Sequence, residues 1–312
     1  MKSNKLLTNY FFVTLIAVFC CGLWGSATPM IKIGYQLMLP QVNVASTMLF
    51  AGIRFFLAGL CVILFYSALR KKLLLPKREN WGKVSLVALF QTVIQYIFFY
   101  IGVANASGVK ATVISGSGTF SAILIACLVF RLEHLTWRKM LACVLGFAGI
   151  ILINLNGLDW NMKFFGEGFV FLATVAYGVS SSLMKQYSHS ENPVVISGYQ
   201  FMIGGLCMMV PGFLLGGVVQ MGSWQGIVVL FYLSFLSAVA YSLWGVLLKY
   251  NPVSKVAVFS FMIPLFGVIL SELLLTEESG VSFSKLLIAL GLIVIGVFLQ
   301  NQSKNRKEKK IG

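Results

Sequence analysis

The chain has 312 residues, of which 58% are hydrophobic and 11% charged, with a mean hydropathy of +0.89 and a net charge of +15. A soluble domain carries roughly 25% charged residues, and so few charges cannot cover the surface of a soluble protein this long. The excess positive charge sits in short stretches between long apolar runs and at the C-terminus rather than on a basic, aromatic-interleaved surface, so a nucleic-acid partner is excluded and the lipid bilayer is the expected surrounding.

A membrane helix needs roughly 20 apolar residues. On that ruler ten segments follow in order, at about 12–31, 46–69, 84–104, 109–130, 139–156, 167–187, 194–216, 225–248, 253–275 and 284–300. The fold class is therefore all-α, a polytopic membrane protein with ten transmembrane helices and no sizeable domain outside the bilayer. The first apolar run is too long for the roughly 7 to 15 residues of a secretory signal and is read as a retained helix. Basic residues fall 19 to 4 in favour of the N-terminal side of the membrane when loops are counted alternately. The positive-inside bias then puts both termini in the cytoplasm and predicts a multi-pass protein of the cell (inner or cytoplasmic) membrane.

The first segment contains Trp24-Gly25-Ser26-Ala27-Thr28-Pro29-Met30-Ile31-Lys32, an aromatic residue, a glycine, small residues and a closing lysine. The same layout recurs 153 residues later in the sixth segment, from Tyr177 to Lys185. Further echoes keep the same order: Lys110 and Lys255 near the starts of the fourth and ninth segments, Glu133 and Glu277 or Glu278 after them, Leu145-Gly146 and Leu290-Gly291 in the fifth and tenth, and Arg54 against Gln200 in the second and seventh. The chain reads as two five-helix repeats, residues 1–156 and 165–303, joined near Asn156–Phe165 and followed by a basic tail, 304–312. Because five is odd, the second repeat enters the membrane from the other side. An inverted repeat is a recurring architecture of secondary transporters, with a substrate site near the midplane between the halves. Trp24 and Tyr177 are then expected to face each other across that site, with Lys32 and Lys185 ending their helices at opposite surfaces.

No catalytic or cofactor motif is found: His134 and His189 fall in loops, and neither a nucleophile elbow nor a phosphate loop occurs. Enzyme is not the reading, and no cofactor or metal is called for. The six cysteines lie in apolar segments without C-x-x-C spacing and are read as small packing residues. Gly116-Ser117-Gly118 is read as small-residue packing.

Intramembrane polar residues are costly and therefore point to function. Arg54 is the one basic residue well inside a segment, suited either to anchoring a substrate's anionic group or to locking helix packing. Glu272 lies near a helix end, where snorkelling explains it. Lys110 and Lys255 are read as interfacial anchors. Gln91, Gln95, Tyr96 and Tyr100 of the third segment recur at roughly helical spacing, as do Tyr241 and Trp244 of the eighth; Ser115, Ser117 and Ser181 can join them. Aromatic walls with sparse hydrogen-bonding groups suit a small amphipathic solute. The candidate substrate-binding set is Trp24, Thr28, Arg54, Gln91, Gln95, Tyr96, Tyr100, Ser115, Ser117, Tyr177, Ser181, Tyr241 and Trp244.

Leu23-Trp24-Gly25 with Pro29 and Lys32, Arg54, and Pro264 followed by an apolar run to Glu277 together resemble the drug/metabolite transporter superfamily, and within it the EamA-type ten-helix permeases. The chain departs from the family pattern at Thr119, where a proline is frequent, and at Thr276, where glycine usually precedes the glutamate. The resemblance implies a cavity lined by helices 1, 3, 4, 6, 8 and 9 and transport of small metabolites, often outward, including amino acids. The function expected is a secondary transporter exporting small organic metabolites by alternating access; the alternatives are a flippase for an amphipathic lipid-linked intermediate or a non-transporting membrane scaffold. Substrate identity, coupling ion and oligomeric state are not readable from the chain.

Overall fold

In the absence of water a membrane segment must satisfy its own backbone, which leaves the helix as the solution for long apolar runs. The computed structural model describes residues 6–155, 161–275 and 283–301, and every regular element in them is helical. Nine helices among the described residues are long and apolar enough to span a membrane: α1 Tyr10–Met38, α2 Val44–Arg70, α3 Arg78–Asn105, α4 Gly108–Val129, α5 Trp137–Asn154, α6 Phe164–Tyr187, α7 Pro193–Leu214, α8 Trp224–Tyr250 and α9 Val253–Leu274. A tenth, α10 Phe283–Asn301, is shorter in its apolar core. The protein is an all-helical, polytopic membrane protein of about ten helices. Glu277, Glu278, Thr276 and residues 156–160 of the junction at Asn156–Phe165 lie outside the described residues.

Polar residues in the short loops start the helices. Asn9, Asn43 and Asn192 accept backbone N–H groups of the first turns of α1, α2 and α7, and Pro193 occupies the first position of α7. Ser107 and Ser223 do the same for α4 and α8. Inside the bundle, small residues set the approach. A Cβ on Gly59 of α2 would stand 2.4 Å from the Gly198 carbonyl oxygen of α7, so these two helices meet backbone to backbone.

α2 packs on α7 and α5 on α10; α1 lies against α8 and α9, while α6 lies against α3 and α4. Pairing thus repeats when the first five helices are exchanged with the last five. Individual bonds repeat too. Lys110 Nζ donates to the Asn161 carbonyl at 2.6 Å, and Lys255 Nζ to the Thr8 carbonyl at 3.4 Å; donor and acceptor are displaced by 145 and 153 residues. Arg54 donates to Ser237 Oγ, from Nη2 at 3.1 Å and from Nε at 3.4 Å, and Thr92 Oγ1 donates to Gln200 Oε1 at 2.7 Å, again with 146- and 145-residue displacements.

The end of the bundle that carries Leu7 and Thr8 also carries Asn251, whose amide donates to the Leu7 carbonyl at 2.9 Å, and Lys185, whose Nζ donates to the Lys249 carbonyl at 2.9 Å. Lys32 lies 22 residues along α1, about 33 Å from that end at 1.5 Å per residue. The two lysines therefore sit at opposite ends. One expectation is corrected: Lys32 does not end its helix, because Ile33-Gly34-Tyr35-Gln36-Leu37-Met38 carries the helix on for six residues before Leu39 and Pro40 stop it.

Candidate functional site

Midway along the bundle, aromatic side chains from five helices meet. Trp24 of α1 stands edge-on to Tyr241 and Trp244 of α8, with ring centroids at 5.0 and 4.9 Å. The Tyr241 hydroxyl meets that of Tyr96 in α3 at 3.0 Å. Phe55 of α2 and Phe201 of α7 close the cluster, Phe55 at 4.6 Å from Tyr96 and Phe201 at 4.8 Å from Tyr241. Tyr100 continues it one turn along α3, 5.9 Å from Tyr96. Edge-to-face geometry is what ring quadrupoles favour.

The cluster contains polar atoms that find nothing to bond. Trp24 Nε1 and Trp244 Nε1 are buried without a hydrogen-bond partner, although Trp244 stands beside the Tyr177 hydroxyl. On α3, the helix that also carries Tyr96, Gln91 Oε1 and Gln95 Oε1 are likewise buried and unpartnered. Leaving such a group unsatisfied costs about 1–3 kcal/mol, and unpaired indole donors in the cluster suit a polar ligand. Gln91 owes its direction to a local widening of the helix: Leu89–Ile94 forms a π-helical turn, a feature that concentrates at functional sites.

Among the residues singled out from sequence, the structure brings Trp24, Tyr96, Tyr100, Tyr241 and Trp244 into this cluster, with Arg54 next to Phe55 at its edge. Tyr177 reaches Ser260 of α9 at 3.5 Å and touches Ser181 and Trp244. Trp244 of α8 makes contact with both Trp24 and Tyr177, the two residues expected to face each other across the site, a large ring that helical spacing in α1 and α6 could not reveal. Ser117 turns away, bonded to the Ile114 carbonyl and to Thr174 Oγ1, at a break between two straight helical pieces of α4. Ser115 is half-buried, and Thr28 is exposed beside Gly267 of α9.

Other polar groups were invisible to the sequence. Lys110, expected as an interfacial anchor, is buried and pairs with Glu167 of α6 at 3.4 Å, a partner 57 residues away in the chain. Ser237, Phe55 and Phe201 join the site only through folding. Among the described residues no group of side chains suited to a metal ion occurs, and the six cysteines are free, with Cys20 and Cys21 donating weakly to the Ala240 and Phe259 carbonyls.

Two stretches of the chain, residues 10–155 and 164–302, each match the EamA-like transporter family. The chain belongs to that family. Relatives of this EamA chain include the uncharacterized transporter YvbV of Bacillus subtilis (strain 168), 26% identical over 304 residues, covering 96% of this chain and 94% of that one. A protein of Escherichia coli (strain K12) named a probable amino-acid metabolite efflux pump is 25% identical over 317 residues, covering 96% and 98%. A crystal structure of a protein superposes with a TM-score of 0.77 over 96% of this chain and all of the other at 16% identity, which is a likeness of fold.

Proposed function

We propose that this EamA-family protein is a secondary transporter that exports small amphipathic organic metabolites, amino acids or compounds related to them, from the cytoplasm by alternating access. The observation that carries the reading is the midplane aromatic cluster with its two unpartnered indole N–H groups, placed between halves whose helix pairings and hydrogen bonds repeat in opposite orientation. Two such halves can rock about a shared site, so that one end opens as the other closes. The name borne by the Escherichia coli relative agrees with amino-acid-like cargo.

The domains in this reading are two inverted EamA-like repeats, 1–156 and 165–303, with the basic tail 304–312, both termini on the cytoplasmic side of the cell membrane. The substrate contacts are the aromatic and amide side chains of Trp24, Gln91, Gln95, Tyr96, Tyr100, Tyr177, Tyr241 and Trp244 together with Arg54. The test is metabolite profiling of cells with and without overexpression, followed by counterflow of the compounds that fall inside and rise outside, using purified protein in liposomes. Counterflow of at least one such compound above empty liposomes is expected; none above background overturns the proposal.

A further inference from the structure

Arg54 lies ten residues into α2, about 15 Å along the helix axis and so near the centre of a bilayer core about 30 Å thick. Only 3% of the residue is exposed. Its partners are the Ser237 hydroxyl, which accepts from Nε and Nη2, and the ring of Phe55, 4.8 Å from Cζ. Among the described residues no carboxylate pairs with it. Nη1 makes no hydrogen bond.

A buried cation without a counter-ion is costly, and a structural role for it has to be weighed against how else the fold could hold this junction. The protein itself supplies the comparison. In the second half the equivalent junction, α7 against α3, is closed by Gln200 and Thr92 at 2.7 Å, with Gln200 fully buried and uncharged. A neutral amide and a hydroxyl thus suffice to hold the helices at this place. The charge at Arg54 adds nothing the mirror site needs.

We infer that Arg54, at the edge of the cluster beside Phe55, forms a binding subsite for the carboxylate of the transported solute, whose apolar part lies on the Trp24–Tyr96–Tyr241–Trp244 aromatic cluster. This deepens the transport reading given above and rests on it. A planar guanidinium with a free N–H edge matches a carboxylate, and the water-poor surroundings strengthen the bond. The subsite predicts selection for monocarboxylates with an apolar or aromatic body over the matching primary amides, which lack the carboxylate charge.

The test uses the full chain purified in detergent and in liposomes, with L-phenylalanine and L-leucine against L-phenylalaninamide and L-leucinamide as probes. Binding is read by quenching of tryptophan fluorescence, and movement by counterflow. For the unmodified protein the acids are expected to bind roughly 10- to 100-fold more tightly than the amides, the span of one to two charge-assisted hydrogen bonds. Arg54→Gln, which copies Gln200, is expected to melt no lower than the unmodified protein and to lose the preference for acids while binding amides as before. Arg54→Lys keeps the charge without the fork and is expected to retain part of the preference. Equal binding of acids and amides by the unmodified protein, or an Arg54→Gln variant that keeps the preference, overturns the subsite. An Arg54→Gln variant that unfolds overturns it too, because it shows that the charge is structural. Acid-selective, Arg54-dependent binding without counterflow would retain the subsite and remove the transport reading instead.

Discussion

At the scale of single residues, Trp24 separates what packing needs from what binding needs. Its ring is held edge-on by Tyr241 and Trp244, while its indole N–H is buried without an acceptor. Trp24→Ala removes the ring and is expected to destabilise by about 3–5 kcal/mol, as for other large aromatic deletions. Trp24→Phe keeps most of the ring contact and deletes only the unsatisfied donor. In ligand-free protein that change should leave the melting temperature unchanged or raise it slightly, because an unpaired buried donor contributes nothing favourable. If the donor serves a ligand, the same variant loses roughly tenfold in substrate affinity. Thermal melting and fluorescence quenching on the same two variants check both statements; a Trp24→Phe protein that melts much lower and binds normally would make this N–H a structural group.

Among elements, α9 is fastened to the first half by one carboxylate. Glu133, in the loop after α4, accepts the backbone N–H of Ser254 at 3.0 Å and bonds the Ser254 hydroxyl, capping the start of α9, and it pairs with Lys139 Nζ at 2.6 Å. Lys139 and Glu133 side chains are only 9% and 10% exposed, so removing one leaves the other charge poorly solvated. Glu133→Gln is expected to cost about 3–5 kcal/mol, and adding Lys139→Met to recover a good part of it. Chemical unfolding of the two variants tests this; an equal loss in both would mean that capping, not the ion pair, carries the energy. The existence and order of the helices could be read from apolar length alone, because a bilayer leaves a long apolar run no other choice. Details inside them could not. A run apolar on all sides has no period that distinguishes an ordinary turn from the π turn at Leu89–Ile94, and a lysine at a helix start looks the same whether it anchors at the interface or meets Glu167 from another helix. The site was half legible: Tyr96, Tyr100, Tyr241 and Trp244 betray themselves as polar-tipped aromatics in apolar helices, whereas Phe55, Phe201 and Ser237 look like any other packing residue until the fold places them.

On the scale of the whole molecule, contacts between the halves decide which end is shut. At the end bearing Leu7, Glu191 ties the α6–α7 loop to the segment before α3, accepting from Lys77 N at 2.8 Å, Asn80 Nδ2 at 3.0 Å and Asn192 N at 3.0 Å. Partial burial pushes its carboxyl up, but those donors and the charge of Lys77 outweigh it and hold the group below its usual value. A depressed carboxylate contributes stability that is full above the unfolded value, roughly 4.3, and is lost as pH falls through the lower folded value. Melting temperature should therefore hold steady from neutral pH to about pH 5 and decline more steeply below roughly pH 4 in the unmodified protein than in Glu191→Gln. At the opposite end the image of this tie is Val218 N on Ser46 Oγ at 3.1 Å and Gln220 N on the Met38 carbonyl at 2.8 Å, made without any titratable group. The inverted arrangement makes one further demand on the intact membrane. Gln41, in the loop after Met38 ends α1, and His189, just beyond Lys185, are exposed at opposite ends of the bundle. The cysteines of the chain all lie within the spans, beyond reach of a membrane-impermeant maleimide, so a cysteine placed in a loop reports its own side. Gln41→Cys is expected to label in intact cells and His189→Cys only in inside-out vesicles, since basic loops stay in the cytoplasm. The reverse pattern would keep the inverted repeat and turn the protein over in the membrane. Labelling of both from one side would break the repeat, and with it the argument that Arg54 and Gln200 occupy equivalent places.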